Sequence, residues 1–201
     1  TKISPEKSSA GVHVLLTGFG PFTGVTENPT QIVAEALDRE PDKRIGAYSQ
    51  YTVVDPAVEV SVGECERMSK AMADKAEALT GKALVLHMGV DAACDHFKLE
   101  RTAYNLADFR VPDVKGAHLR GHKIIPEAPQ ELQTVVDVEA VVRSCPDESC
   151  RLVVSDDAGR YLCNFIYFNS LYNTANHALF LHLPSLDACP RDVQCGFVRS
   201  V

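Results

Sequence analysis

The sequence predicts an α/β fold: a single three-layer domain with a mostly parallel, twisted sheet and helices on both faces. Short apolar runs that suit buried strands (12–22, 83–90 and 178–186) alternate with stretches of helical spacing (28–37, 135–145 and 161–176), the order that builds parallel sheets. The chain has 201 residues, enough for one domain that buries most of its apolar surface. Hydrophobic residues make up 45% and charged residues 23%, so neither disorder nor a coiled coil describes it.

Residues 1–11, TKISPEKSSAG, read as a polar leader without the apolar stretch of a secretory signal, and 12–201 as the domain. VHVLLTGFGPF (12–22) suits a buried strand that runs into a glycine loop. Asn28-Pro29-Thr30 opens a helix through Leu37, because Asn caps well and Pro fits a first helical turn. Residues 45–54 suggest a second strand, and Asp55-Pro56 the start of a helix to about residue 80, with Val60, Cys65 and Met68 on its apolar face. ALVLHMGV (83–90) is a third strand, DAACDH a turn, and 97–109 a less regular mixture of apolar and charged residues.

Residues 110–133, with Pro112, Gly116, Gly121, Pro126 and Pro129, read as a long surface excursion of the kind that often carries function. A helix (135–145), a strand with a tight turn (151–159), a helix (161–176), a strand (178–186) and a short helix from Arg191 complete the order. Ligands of open α/β sheets bind at the carboxyl ends of the strands, so the loops after Thr17, Ser155 and His182 matter most.

Twenty Lys and Arg face 27 Asp and Glu, a net charge of −7, which leaves no basic footprint for phosphate backbones. Nucleic acid and anionic membranes are therefore poor partners. No apolar run approaches the ~20 residues that cross a bilayer. The seven cysteines, at 65, 94, 145, 150, 163, 189 and 195, are odd in number and contain no CxxC pair. They read as free thiols of a reducing cytoplasm.

Several residue groups invite chemistry. GFGPF (18–22) lacks the spacing of a phosphate loop, and Phe19 and Phe22 suit either a flat uncharged ligand or the core. His87, Cys94, Asp95 and His96 resemble metal ligands in composition alone, because consecutive residues of an extended chain point apart. No metal and no other cofactor is expected. Asp156 and Asp157, just before a helix, suit turn-shaping better than a carboxylate pair.

Cys163 is different: the chain turns at Ala158-Gly159 into the first turn of a helix, whose amino end favours a thiolate. A buried core thiol is the bland alternative. A thiol nucleophile needs a base, and His182, ending the run ALFLH, falls at the carboxyl edge of the sheet. His87 has apolar flanks and suits a buried structural role equally well. Glu100 is an acid that could orient the imidazole if its stretch borders the same crevice; otherwise it is solvated.

Four ordered motifs then converge. LLTGFGPF with Asn28-Pro29, HMGV leading into LERTAYN, SDDAGRYLCNFIYFNSL, and ALFLHLP together resemble type I pyroglutamyl peptidase, also called pyrrolidone-carboxylate peptidase, over most of the chain from Val12. The resemblance implies a cysteine exopeptidase that removes an N-terminal pyroglutamyl residue from small peptides. It implies a triad of Glu100, Cys163 and His182, ring-holding aromatics at Phe19 and Phe22, and pocket side chains at Tyr161, Leu162 and Val111.

There are departures. Val90 stands where some bacterial members carry glutamine, so contact there falls to the backbone; VVDPAVEV lacks the usual aromatics; and the family's terminal helix continues past the point where this sequence stops. The sequence is also compatible with two other readings: a catalytically silent module that binds pyroglutamyl peptides, and another hydrolase or transferase on the same scaffold. Whether copies assemble into homo-oligomers is open.

Overall fold

A computed structural model describes residues 11–46, 49–79, 83–145 and 151–200. The leader up to residue 10, Cys150 and Val201 lie outside the described residues.

Seven strands form the main sheet in the order β2-β3-β1-β4-β9-β5-β8. At its centre, β3 (Ser49–Val58), β1 (His13–Phe19), β4 (Ala83–Val90) and β9 (Ala178–Leu183) run parallel. β2 (Arg44–Ile45) lies antiparallel on one edge, while β5 (Phe97–Glu100) runs antiparallel to β9 and carries β8 (Leu152–Ser155) parallel to itself. A separate ribbon pairs β6 (Thr102–Tyr104) with β7 (Glu131–Gln133).

The helices cover both faces, as the two-residue period of the strands requires. On β9, Ala178 and Phe180 join a core with α2 (Val62–Ala78) and α4 (Leu162–Asn173). The alternate residues Leu179, Leu181 and Leu183 join a second core with α1 (Pro29–Arg39), α3 (Val138–Ser144) and α5 (Arg191–Ser200). Among the described residues, no helix is long and apolar enough to cross a membrane.

Capping behaves as the sequence suggests for α1, where Asn28 Oδ1 accepts the Thr30 N–H at 3.1 Å and Pro29 opens the helix. Gly18 lets that helix start close to the sheet, since a Cβ there would lie 2.4 Å from the Thr30 carbonyl oxygen. Asp55-Pro56, in contrast, does not begin a helix. Both residues lie inside β3, where the register against β1 slips between Leu16 and Phe19, so the missing Pro56 N–H falls in an irregular stretch of ladder. The helix starts seven residues later than Asp55, at Val62, after the cap Ser61, and Val60 precedes it.

The excursion is shorter than 110–133, because Glu131–Gln133 is strand. It is also tied down: the buried Asp113 carboxylate accepts the N–H groups of Val62, Lys115 and Ala117, and Asn105 Oδ1 accepts those of Ile124 and Ile125. One strand direction differs from expectation. β8 runs against the parallel strands, so Ser155 stops at the level of Glu100 and Phe180, and residues 156–161 lead the chain back to the carboxyl edge.

Candidate active site

Two strands and one helix bring Glu100, His182 and Cys163 together. Glu100 on β5 pairs with Phe180, and Lys98 pairs with His182, so Glu100 and His182 are diagonal neighbours on one face of adjacent antiparallel strands. His182 Nδ1 lies 2.8 Å from Glu100 Oε1, and the same imidazole lies beside the Cys163 sulfur, which favours its protonated form. Glu100 is fully buried and His182 nearly so, while Cys163 is half-buried.

Burial alone would push the His182 proton off. The neighbouring Cys163, the hydrogen bond with Glu100 and the charges of both outweigh it and raise the imidazole to about 10. The ring is also wedged from below by Phe180, with centroids 4.8 Å apart. Phe180 in turn touches Phe19, His87 and Tyr167, and the Tyr167 hydroxyl donates to the Glu100 carbonyl at 2.8 Å.

The amino end of α4 is open. Tyr161 is its N-cap in extended backbone, and among the described residues no side chain caps the helix. Asn164, at the third helical position, turns away: its amide donates to the Tyr104 and Leu106 carbonyls and its oxygen accepts the Tyr104 N–H. The first-turn N–H groups around Cys163 therefore face the carboxyl edge of the sheet without a side-chain acceptor.

Beside the sulfur lies a small cavity lined by Phe19, Phe22, Asn28, Val60, Gly89, Val90, Tyr161, Leu162 and Cys163. None of these lining side chains is a carboxylate or an ammonium. Asn28 is already committed, donating to the Gly20 carbonyl and accepting from Thr30. A side chain at position 89 would fill the space under the sulfur: a Cβ there would lie 2.5 Å from Phe180 Cζ and 3.1 Å from Cys163 Sγ. A larger open depression between α2 and the α4–β9 turn, lined by Lys70, Asp74, Glu77 and His177, sits at the amino ends of the strands, away from this chemistry.

A family model described as pyroglutamyl peptidase matches residues 12–192. The chain belongs to the pyroglutamyl peptidase family. Among curated relatives, the pyrrolidone-carboxylate peptidase of Thermococcus litoralis is 30% identical over 177 residues, covering 85% of this chain and 76% of that protein. Human pyroglutamyl-peptidase 1 is 26% identical over 175 residues, covering 86% and 79%. The solved structure of the Thermococcus litoralis pyrrolidone carboxyl peptidase aligns with a TM-score of 0.75 at 29% identity, covering 86% of this chain and 76% of that one. These relatives are named as peptidases, that is, as hydrolases.

Most of the residues that the pyroglutamyl peptidase resemblance singles out meet at this site. Glu100 and His182 bond each other, Cys163 lies beside His182, and Phe19, Phe22, Val90, Tyr161 and Leu162 line the cavity with that cysteine. Val111 does not line it. It lies in an adjoining cleft with Phe22, Arg110, Arg160 and Tyr161, because the Pro112 carbonyl accepts the Tyr161 hydroxyl and holds that loop beside the pocket, not inside it.

Gly89 and Val60 are pocket residues that the sequence reasoning missed. A glycine inside a strand pattern is itself a signal of close approach, and HMGV carries one. Val60 left no such mark, since its place depends on where α2 begins.

The remaining chemistry-bearing groups are engaged elsewhere. His87 is fully buried between Thr17 and Ser170, at 2.7 and 2.8 Å, and burial lowers it to about 3, so it is neutral. Asp156 bonds Arg101 and Thr102, while Asp157 accepts the Gly159 N–H and pairs with Arg160. Cys65, Cys94, Cys145 and Cys195 carry free thiols, and no group of three His, Cys, Asp or Glu among the described residues could hold a metal.

Proposed function

We propose that this chain is a cysteine exopeptidase that hydrolyses the amide bond after an N-terminal pyroglutamyl residue of small peptides. Cys163 is the nucleophile, His182 the general base and then acid, and Glu100 the group that orients the imidazole. The observation that carries this reading is one continuous line of contacts: Glu100 is bonded to His182, His182 lies beside the Cys163 sulfur, and that sulfur borders an apolar pocket beside an uncapped helix.

The steps follow ordinary thiol chemistry. With its proton held by His182, the sulfur attacks the carbonyl carbon that joins the pyroglutamyl ring to the next residue. The carbonyl oxygen becomes an oxyanion and takes hydrogen bonds from first-turn N–H groups of α4, including that of Cys163, each commonly worth ~3–4 kcal/mol in rate. His182 passes its proton to the leaving nitrogen, the C–N bond breaks, and a thioester remains. Water then attacks that thioester with His182 as base, which releases pyroglutamate and restores the thiol.

Specificity has a physical basis in the pocket. A lactam ring is flat and uncharged, and Phe19, Phe22, Val60, Val90 and Leu162 supply flat apolar walls. Asn28 is already bonded, so the lactam N–H and C=O fall to backbone partners. A free amino terminus would bury its ammonium without a carboxylate, a cost of several kcal/mol that excludes ordinary peptides. The nucleophile works only as a thiol, which suits a reducing, cytoplasmic setting.

The deciding experiment compares a fluorogenic pyroglutamyl amide with other aminoacyl amides, for wild type and Cys163→Ala in reducing buffer. Hydrolysis confined to the pyroglutamyl substrate and lost in Cys163→Ala is expected, with iodoacetamide inactivation slowed by a pyroglutamate analogue. Turnover retained by Cys163→Ala would refute the assignment.

A further inference from the structure

Asp91 and Lys98 stand on opposite sides of the strand that carries His182. In the sheet β9 lies between β4 and β5, with Gly89 paired to His182 on one side and Lys98 paired to it on the other. Asp91 follows β4 and donates its N–H to the Leu183 carbonyl at 2.9 Å. Lys98 Nζ reaches Asp91 Oδ2 at 2.7 Å, so the ion pair crosses over β9. Two strand spacings, ~9.6 Å, separate β4 from β5, which a lysine and an aspartate side chain together can span.

The crossing has a definite face and level. Directly opposed residues on antiparallel strands project to the same side, and Lys98 opposes His182 just as Glu100 opposes Phe180. The ammonium therefore leaves β5 on the imidazole's own face. It meets Asp91 toward the carboxyl edge, past His182. Both side chains are about three-quarters buried, with 25% and 27% exposure, and the Cys94 thiol donates to the same Asp91 oxygen at 3.1 Å. Burial would raise the Asp91 carboxyl, but Lys98 and Cys94 hold it down at about 2, so the pair is charged throughout the working range.

We infer that the Asp91–Lys98 ion pair is a positioning device, a strap across β9 that fixes the strand at His182 and balances the charge beside its imidazole. Neither residue touches the reacting atoms; both act through His182, and the inference rests on the role proposed above for that residue. Cys163 from α4 and Glu100 from β5 act on the imidazole directly; Lys98 opposes His182 in the β5–β9 register, Asp91 follows β4, and the Tyr167 hydroxyl is bonded to the Glu100 carbonyl. Neutral His87 on β4 lies beyond Phe180.

Three variants test it: Lys98→Met, which keeps much of the apolar stem, Asp91→Asn, and Lys98→Arg. The readouts are kcat and KM on a pyroglutamyl amide across pH, and the pH dependence of iodoacetamide labelling at Cys163, followed by mass spectrometry. Both neutral variants are expected to lose about three- to tenfold in kcat with KM changed less than about twofold, because a misplaced base slows the chemical step.

The alkaline limb should move upward in Lys98→Met, where a lone carboxylate favours the imidazolium, and downward in Asp91→Asn, where a lone ammonium opposes it. Lys98→Arg should restore wild-type behaviour. Unchanged kcat and limb in both neutral variants, or limbs that move in the same direction, overturn the inference. Should wild type cleave no pyroglutamyl amide, the proposed reaction fails by itself. The labelling profile needs no substrate and still decides whether the pair governs His182.

Discussion

His182 Nδ1 lies 2.8 Å from Glu100 Oε1, while Glu100 Oε2 is buried without a hydrogen-bond partner among the described residues. The two residues are 82 positions apart in sequence, and the sheet register alone brings them into contact. A slip of β5 by one residue would turn Glu100 to the opposite face, into the apolar core of Leu181 and α5 where Leu99 now packs. The imidazole is thus oriented by strand pairing, and Glu100 commits its Oε1 to it.

Glu100→Gln keeps the shape and removes the charge. A glutamine can offer its oxygen to Nδ1 only by leaving its amide group buried and unbonded where Oε2 stood; turned over, it offers a donor and selects the wrong tautomer. Turnover on a pyroglutamyl amide is expected to fall by about 10² or more, with a smaller change in KM. Steady-state kinetics beside a thermal melt check this, and wild-type turnover removes Glu100 from the mechanism.

The raised His182 value gives a pH prediction with a definite sign. The unfolded imidazole titrates near 6.5 and the folded one near 10, so the native state keeps a proton that the unfolded chain releases in between. This histidine's contribution to stability is complete below about 6.5 and is lost as pH rises through about 10. The same proton serves the leaving group, so kcat/KM should stay level through neutral pH and fall on the alkaline side near 10. Glu100→Gln should move that limb downward. A wild-type limb near neutrality contradicts the geometry.

The parts legible in the sequence are those whose cause is local. Strands β1, β4 and β9 are buried on both faces and so appear as unbroken apolar runs, and Asn28-Pro29 marks a helix start by cap chemistry alone. Asp55-Pro56 carries the same local signal as a helix start and misleads, because the partner strand β1 is what holds it extended. The direction of β5 and β8 is likewise set by neighbours far along the chain. Cys163 and His182 were visible from placement, since a helix start and a strand end are local features. Gly89, Val60 and the displacement of Val111 belong to what lies opposite in space.

Gly89→Ala tests how little room the sulfur has. The added Cβ would meet Phe180 at 2.5 and 2.7 Å and Cys163 Sγ at 3.1 Å, so the ring that supports His182 must move together with the thiol. Overpacking of this kind typically costs about 1–3 kcal/mol. A small fall in melting temperature is expected, with a loss of kcat out of proportion to it, about 10²-fold for a shift near 1 Å. Normal kinetics in a folded Gly89→Ala protein would place the reacting sulfur elsewhere.

Phe19 and Phe22 both line the cavity, yet truncating them should have different consequences. Phe19 is 4% exposed and sits in the α2–α4 core beside Phe180, so Phe19→Ala should destabilise the fold by about 3–5 kcal/mol. Phe22 is only half-buried and sits in a tight turn closed by two backbone hydrogen bonds with Val25, at 3.0 and 2.8 Å, with Gly24 at φ +83°. That turn does not depend on the ring. Phe22→Ala should therefore melt close to wild type while KM for the pyroglutamyl amide rises about tenfold, the equivalent of roughly 1.4 kcal/mol of lost ring contact. Melts and kinetics on both variants separate the two residues. An unchanged KM in Phe22→Ala would mean that the substrate ring does not enter this cavity.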